Sequence, residues 1–303
     1  MLENAPQPPA VIPVYEPASG RPERVETLTR MCVEDLLDAF GLGGVRRGRS
    51  SLELLSRIPA RRLARQVATY DDVVGESGLS AGGLWALERM ARRVEVEGRE
   101  NVAPVGPLLV VANHPGLADA LALFAATPRA DLRVVAAERP FLEALPNTSR
   151  HLIPVSEASP GRSGAVRTAA RHMRSGGAVL TFPGGRIEPD PAVLPGAAGA
   201  LERWSGSLDL FARLVPGLTV VPAVVSGVLS PTALHNPLTL VRRREKDRQW
   251  LAATIQMLTP ALRNVTTKVV FGRPIRDGDP PGGTVREAVL EEARRLIERC
   301  EAH

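Results

Sequence analysis

Apolar residues recur along this chain in two rhythms. From Glu23 to Phe40 they fall at Val25, Leu28, Val33, Leu36, Leu37 and Phe40, close to helical spacing. Gly41-Leu42-Gly43-Gly44 supplies a stop. Ser50 with Glu53 reads as the capping box of a short helix. Pro59 suits the first position of the next, which runs through Leu63, Val67 and Tyr70. Leu84–Arg93 reads as another, entered through Ser80 or Gly82-Gly83. From about Val94 short apolar runs alternate with helical stretches. Strands are predicted at Val94–Glu97, Leu108–Ala112, Leu132–Ala136, Leu152–Val155, Ala178–Phe182, Val220–Val225 and Thr267–Phe271. Helices are predicted at Leu117–Ala126, Arg139–Leu145, Gly164–Ser175, Ala197–Trp204, Leu208–Leu214, Arg248–Leu262 and Val285–Cys300.

This alternation predicts an α/β fold, a mostly parallel central sheet flanked by helices, with an N-terminal helical unit. The expected organisation is a disordered proline-rich arm over 1–20, a helical unit over 21–93 and an α/β domain over 94–303. The arm lacks the basic start and apolar core of a signal peptide. Leu214 to Val241 is long enough to cross a membrane, but Pro216, Pro222, Pro231 and Pro237 interrupt it. One buried strand with loops on either side fits it better.

Net charge is +5 over 303 residues, and Lys246 and Lys268 are the only lysines, so the basic surface is arginine. Arginine binds phosphate and carboxylate bidentately, which suits anionic lipid or a phosphorylated carrier. Aromatic residues make up 4%, too few for base-stacking platforms, so no nucleic-acid partner is expected. No phosphate-binding P-loop and no Gly-x-Gly-x-x-Gly appears. The two cysteines, Cys32 and Cys300, lie far apart, and the five histidines form no cluster with them. No metal site is expected, and a reducing compartment is the natural one. Arg57, Arg61, Arg62, Arg65, Arg92 and Arg93 give the helical unit a basic face. That face either packs on the main domain or lies on an anionic membrane. The run Arg242-Arg243-Arg244-Glu245-Lys246-Asp247-Arg248 reads as a solvated helix start or as a contact for phosphates, an acidic carrier or anionic headgroups.

Two stretches carry candidate chemistry. In Ala112-Asn113-His114-Pro115-Gly116-Leu117-Ala118-Asp119, a strand ends in Asn-His-Pro-Gly and places the imidazole at the mouth of a sheet. Asp119, one helical turn on, can accept a hydrogen bond from one ring nitrogen and leave the other as a base. Alone, the pair also fits a capping histidine and a solvated aspartate. The second stretch, Phe182-Pro183-Gly184-Gly185-Arg186-Ile187-Glu188, follows a buried strand. Its glycines let backbone approach a ligand, and Arg186 is placed to hold a phosphate. Gly78-Leu79-Ser80-Ala81-Gly82 spells the Gly-x-Ser-x-Gly of serine hydrolases, but the segment before it is too polar for a central strand. Ser80 reads better as a helix cap.

The order and spacing of Asn113-His114…Asp119, Phe182-Pro183-Gly184-Gly185-Arg186 and Val220-Val221-Pro222-Ala223 resemble the glycerolipid acyltransferases, which act on glycerol 3-phosphate or 1-acylglycerol 3-phosphate. Val94-Glu95-Val96-Glu97-Gly98 and Pro195-Gly196-Ala197-Ala198-Gly199-Ala200 add to the likeness, which spans about residues 94 to 275. The resemblance implies an acyltransferase domain with His114 as general base and Asp119 orienting it. It implies that Asn113 and the Gly116 amide steady the oxyanion, and that Arg186 with the Gly184-Gly185 backbone holds the acceptor's phosphate beside Phe182 and Pro183. It implies no cofactor and no metal. The donor would be acyl-CoA or an acyl-carrier-protein thioester, the acceptor a lysophospholipid or glycerol phosphate, and the location cytoplasmic, peripheral to the inner membrane face. Two departures stand out. The family's Phe-Pro-Glu-Gly-Thr-Arg has Gly184 in place of its glutamate, so either Arg186 and Glu188 act from shifted positions or the acceptor is not a standard glycerol phosphate. Ser156-Glu157 follows the strand Leu152–Val155 where the family has an arginine, leaving Arg150 or Arg162 to replace it. A non-catalytic lipid-binding module on the same fold is the rival reading, and a serine esterase using Ser80 a lesser one.

Overall fold

In the computed structural model, residues 22–116, 118–156, 159–276 and 283–301 are described. The proline-rich arm lies outside them. In chain order come α1 (Pro22–Ala39), α2 (Arg49–Leu87), β1 (Arg93–Glu97), β2 (Leu108–Ala112), α3 (Asp119–Ala126) and β3 (Arg133–Ala137). Then follow α4 (Pro140–Glu143), α5 (Pro146–Ser149), β4 (Leu152–Val155), α6 (Ser159–Arg174), β5 (Ala178–Thr181), α7 (Ala197–Ala200) and α8 (Ser207–Leu214). The chain closes with β6 (Thr219–Ser226), α9 (Pro231–Leu234), α10 (Glu245–Leu258), β7 (Thr266–Phe271), β8 (Ile275–Arg276) and α11 (Val285–Glu301). Each strand expected from the apolar runs is present, with ends moved by a residue at most; the two-residue β8 was too short to leave a pattern.

The sheet order is β1-β7-β6-β2-β5-β3-β4, with β8 on β6. The ladders from β6 to β4 are parallel, while β7 and β8 meet β6 antiparallel. β2 is buried at every position, because helices cover both faces. Its period-two alternation sends Leu108, Val110 and Ala112 into one core layer and Leu109 and Val111 into the other. The first layer is roofed by α1, α2 and α3, the second by α6, α8 and α11. β6 is likewise wholly buried. That burial settles Leu214–Val241 as a core strand with flanking turns. Among the described residues no helix is long and apolar enough to cross a membrane.

The helical unit departs from its expected segmentation. α2 runs unbroken past Ser50 and Pro59 and kinks at the non-helical Gly78 (φ 85°, ψ 173°), so a second helical stretch begins close to Ser80, as expected. Gly48, not Ser50, is its N-cap, and Glu53 pairs with Arg49 at 2.6 Å instead of closing a capping box. Pro59 removes one ladder bond, but its partner carbonyl belongs to exposed Leu55, where water can serve it. Ser80 lies two residues past that kink, with helix and not strand before it, and reaches only the Ala125 carbonyl, so it forms no strand-to-helix nucleophile elbow. α2 sits close against α3 because Gly83 has no side chain: a Cβ there would lie 2.6 Å from the Leu121 carbonyl oxygen. Farther back, fully buried Asp71 pins α2 to α5. It accepts from the Thr148 amide and hydroxyl at 2.8 Å each, and pairs with Arg24 of α1.

Candidate active site

Strands β2, β5 and β3 lie side by side and run parallel, so their carboxyl ends share one edge of the sheet. Val111 stands opposite Thr181, which sets the Asn113-His114 and Pro183–Arg186 loops next to each other. Hydrogen bonding locks them together. The Glu188 amide donates to the His114 carbonyl (2.8 Å), and the Glu188 carboxylate accepts from the His114 amide (3.2 Å).

His114 Nδ1 lies 2.7 Å from Asp119 Oδ2. With the aspartate ionised, Nδ1–H donates, and Nε2 carries the lone pair. Asp119 is buried at the first turn of α3 and also accepts from the Gly116 amide (2.7 Å) and the Ala120 amide (2.5 Å). These donors hold its carboxylate in one orientation. The imidazole side chain is 30% exposed and rests on the Phe182 ring, with centroids 4.5 Å apart. Burial pulls the imidazole pKa down. The hydrogen bond to Asp119 and the charges of Asp119 and Glu188 outweigh it, and the pKa ends above its ordinary 6.5.

His114 opens on a cavity of about 1350 Å³. One part is polar and is bordered by Phe182, Pro183, Gly184, Gly185 and Arg186. The rest is largely apolar and runs under the helical unit, past Tyr70, Trp85, Phe124 and Phe141. Arg89, Arg139, Arg186, Lys246 and Arg263 also line it, and among the described lining residues there is no carboxylate.

Three residues expected to meet substrate do not reach this cavity. Asn113 is buried, and its amide is spent on β6: Nδ2 donates to the Val225 carbonyl (2.9 Å) and Oδ1 accepts from the Val225 amide (2.7 Å). It stitches β2 to β6 and cannot steady an oxyanion. The Gly116 amide is already committed to Asp119. Glu188 is 4% exposed and points inward, accepting from the Trp204 indole at 2.9 Å. Burial raises its pKa, against the Trp204 and His114 N–H bonds and the charges of His114 and Arg203.

Of the two arginines expected beside β4, the one described lies off the cavity. Arg150 is exposed and does not border the cavity, and the side chain of Arg162 lies outside those described. Arg139, on the turn after β3, does border it. The pairing of β3 with β5 carries this turn toward the glycine loop. A basic residue two positions past an apolar strand is the sequence signal that marks it.

An imidazole–carboxylate pair at the carboxyl edge of an α/β sheet, on the wall of a cavity lined by apolar and cationic side chains, is an arrangement that can take a proton from a bound hydroxyl. Residues 93–226, from the first residue of β1 to the last of β6, match the model of the Acyltransferase family. No curated protein sequence matches the chain. Among solved structures the chain is similar to the 1-acyl-sn-glycerophosphate (LPA) acyltransferase PlsC from Thermotoga maritima, with 17% identity and a TM-score of 0.48 over 93% of this chain and 95% of that one.

Proposed function

We propose that this protein transfers a fatty acyl group from a thioester, acyl-CoA or acyl carrier protein, to a hydroxyl of a phosphorylated glycerol lipid. The observation that carries the reading is the His114–Asp119 pair on the wall of the cavity, with Nδ1 held by the carboxylate. Nε2 takes the acceptor's hydroxyl proton as its oxygen attacks the thioester carbonyl. The tetrahedral oxyanion collapses, the C–S bond breaks, and the leaving thiolate takes the proton back from the imidazolium. The products are an ester and a free thiol, with no acyl-enzyme between them. The apolar part of the cavity suits an acyl chain. Mass spectrometry of purified protein with both donor types against a panel of lyso-lipids and glycerol phosphates tests this. Thiol release with formation of one ester supports it. Tight lipid binding without thioester consumption would make the protein a lipid-binding module.

Arg186 and Arg139 are assigned to the acceptor's phosphate, one from each loop beside the glycine turn. Arg186→Ala is expected to raise the acceptor KM by about tenfold or more, as loss of a charge-assisted contact does, with kcat little changed. An effect confined to the donor KM would remove Arg186 from the phosphate.

The helical unit also presents a membrane-facing surface in this reading. Leu54, Leu55 and Ile58 are 70–80% exposed at the start of α2, among exposed Arg57 and Arg61. The 3-10 turn Pro237–Val241 exposes Leu238, Leu240 and Val241. Arg242 ties that turn to α1 by donating to the Asp38 carbonyl. Leucines ringed by arginine suit the interface of an anionic bilayer. Co-sedimentation with vesicles containing phosphatidylglycerol should fall sharply in the Leu54→Ser, Leu55→Ser, Ile58→Ser variant. Unchanged binding would place the contact elsewhere.

A further inference from the structure

We propose that Glu188 is a positioning residue for the transfer, a carboxylate that fills the space left by Gly184 and holds His114 in place at the cavity mouth. The proposal deepens the acyl-transfer reading and rests on its assignment of His114 as base.

The argument begins with space. A Cβ built on Gly184 would lie 2.1 Å from Glu188 Oε1. The side chain that position 184 lacks would therefore enter the volume that the Glu188 carboxylate already occupies. Backbone conformation is not what demands glycine there. Gly185 takes the left-handed turn (φ 64°), and Gly184 does not. The two positions compete for one carboxylate-sized site, and in this chain residue 188 holds it.

The contacts of that carboxylate explain what it does. Oε1 accepts from Trp204, and Oε2 accepts from the backbone amide of His114. The Glu188 amide completes the link through the His114 carbonyl. Both backbone groups of the base are thus held by one residue from the neighbouring loop. The same loop carries Arg186, so the link fixes the base relative to the proposed phosphate clamp. Small displacements of a base are costly, since about 1 Å of misplacement loses roughly 10²-fold in rate.

Glu188 also acts through its charge. The groups acting on the imidazole are Asp119 from α3 and Glu188 from the loop after β5. Arg203, beside Trp204, acts on Glu188. An ionised Glu188 therefore favours the imidazolium that forms as the acceptor loses its proton.

The test needs a readout that does not depend on turnover. The His114 imidazole would be titrated by NMR in the free enzyme, alongside the pH profile of kcat/KM. Glu188→Gln is expected to lower the His114 pKa by about half a unit or more. It should lower kcat by about tenfold to 10²-fold with acceptor KM nearly unchanged. Gly184→Asp alone should be impaired by the collision with Glu188. Combined with Glu188→Gly, it should recover part of the kcat and imidazole pKa that Glu188→Gly loses. A folded Glu188→Gln protein with an unshifted His114 titration would overturn the proposal, as would a double variant no better than Glu188→Gly. Should Glu188→Gln fail to fold, Trp204→Phe removes one of the carboxylate's donors, and an unchanged kcat there would overturn it equally. If the wild-type protein transfers no acyl group but Glu188→Gln still shifts the titration, the acyl-transfer reading fails and the positioning contact stands.

Discussion

His114→Ala is expected to abolish acyl transfer, with kcat falling by about 10²- to 10⁴-fold, the worth of a well-placed general base. The fold should survive. The imidazole sits at the cavity rim, leans on Phe182 alone among rings, and makes its one side-chain hydrogen bond to Asp119. Asp119 keeps the Gly116 and Ala120 amides after the change, so its buried charge is not orphaned. Thioester consumption measured beside thermal unfolding separates chemistry from stability. A variant with wild-type melting and near-normal turnover would show that the imidazole takes no part.

Asp119→Asn should be almost as damaging, by a different route. With its NH₂ in the place of Oδ2, an asparagine faces Nδ1 and keeps only the bond from the Ala120 amide, while the Gly116 amide loses its acceptor. The imidazole is pushed into the tautomer with the proton on Nε2, and the lone pair leaves the cavity side. Wrong-tautomer variants of comparable pairs lose rate on the order of 10⁴-fold. The pH profile gives a second handle. In the wild-type protein the base works only when neutral, so activity falls as pH drops through the His114 pKa. Asp119 holds that pKa above 6.5 against burial, so the acid limb should begin above 6.5. Without the aspartate's charge the imidazole stays neutral to lower pH, and the residual activity's acid limb should move down. A limb that stays in place would mean that another group controls it.

How much of this was legible in the sequence depends on range. The strands could be read because each is a short apolar run between turn residues, and burial on both sides leaves no polar position to blur it, as in Leu108–Ala112. His114 and Asp119 could be read because the contact spans five residues of one strand-turn-helix unit. Longer-range facts could not. Ser50 and Pro59 each punctuate a helix locally, yet packing on α1 and α3 carries α2 through both, and it breaks only at Gly78, close to the expected entry at Ser80. Asn113 looked free to meet a ligand because its partner, Val225, is 112 residues away. Glu188 looked like a ligand group for the same reason. Its role depends on Trp204 and on the neighbouring strand end, neither of which has a local signature. Arg139 was hidden differently. Its strand gains its place at the site only through pairing with β5.

The cavity beside His114 has walls of two origins. Its chemical end comes from the loops of the family-matched segment, while Leu63, Val67, Tyr70 and Trp85 of α2 close the other side from outside that segment. In the proposed reading, the length of tail that fits is therefore set jointly by α2, outside that segment, and by Phe124 and Phe141 within it. Recombination that exchanges the leading helices while keeping the sheet would alter the guest and spare the reaction, with Asp71 and its hold on α5 as the seam along which such pieces must match.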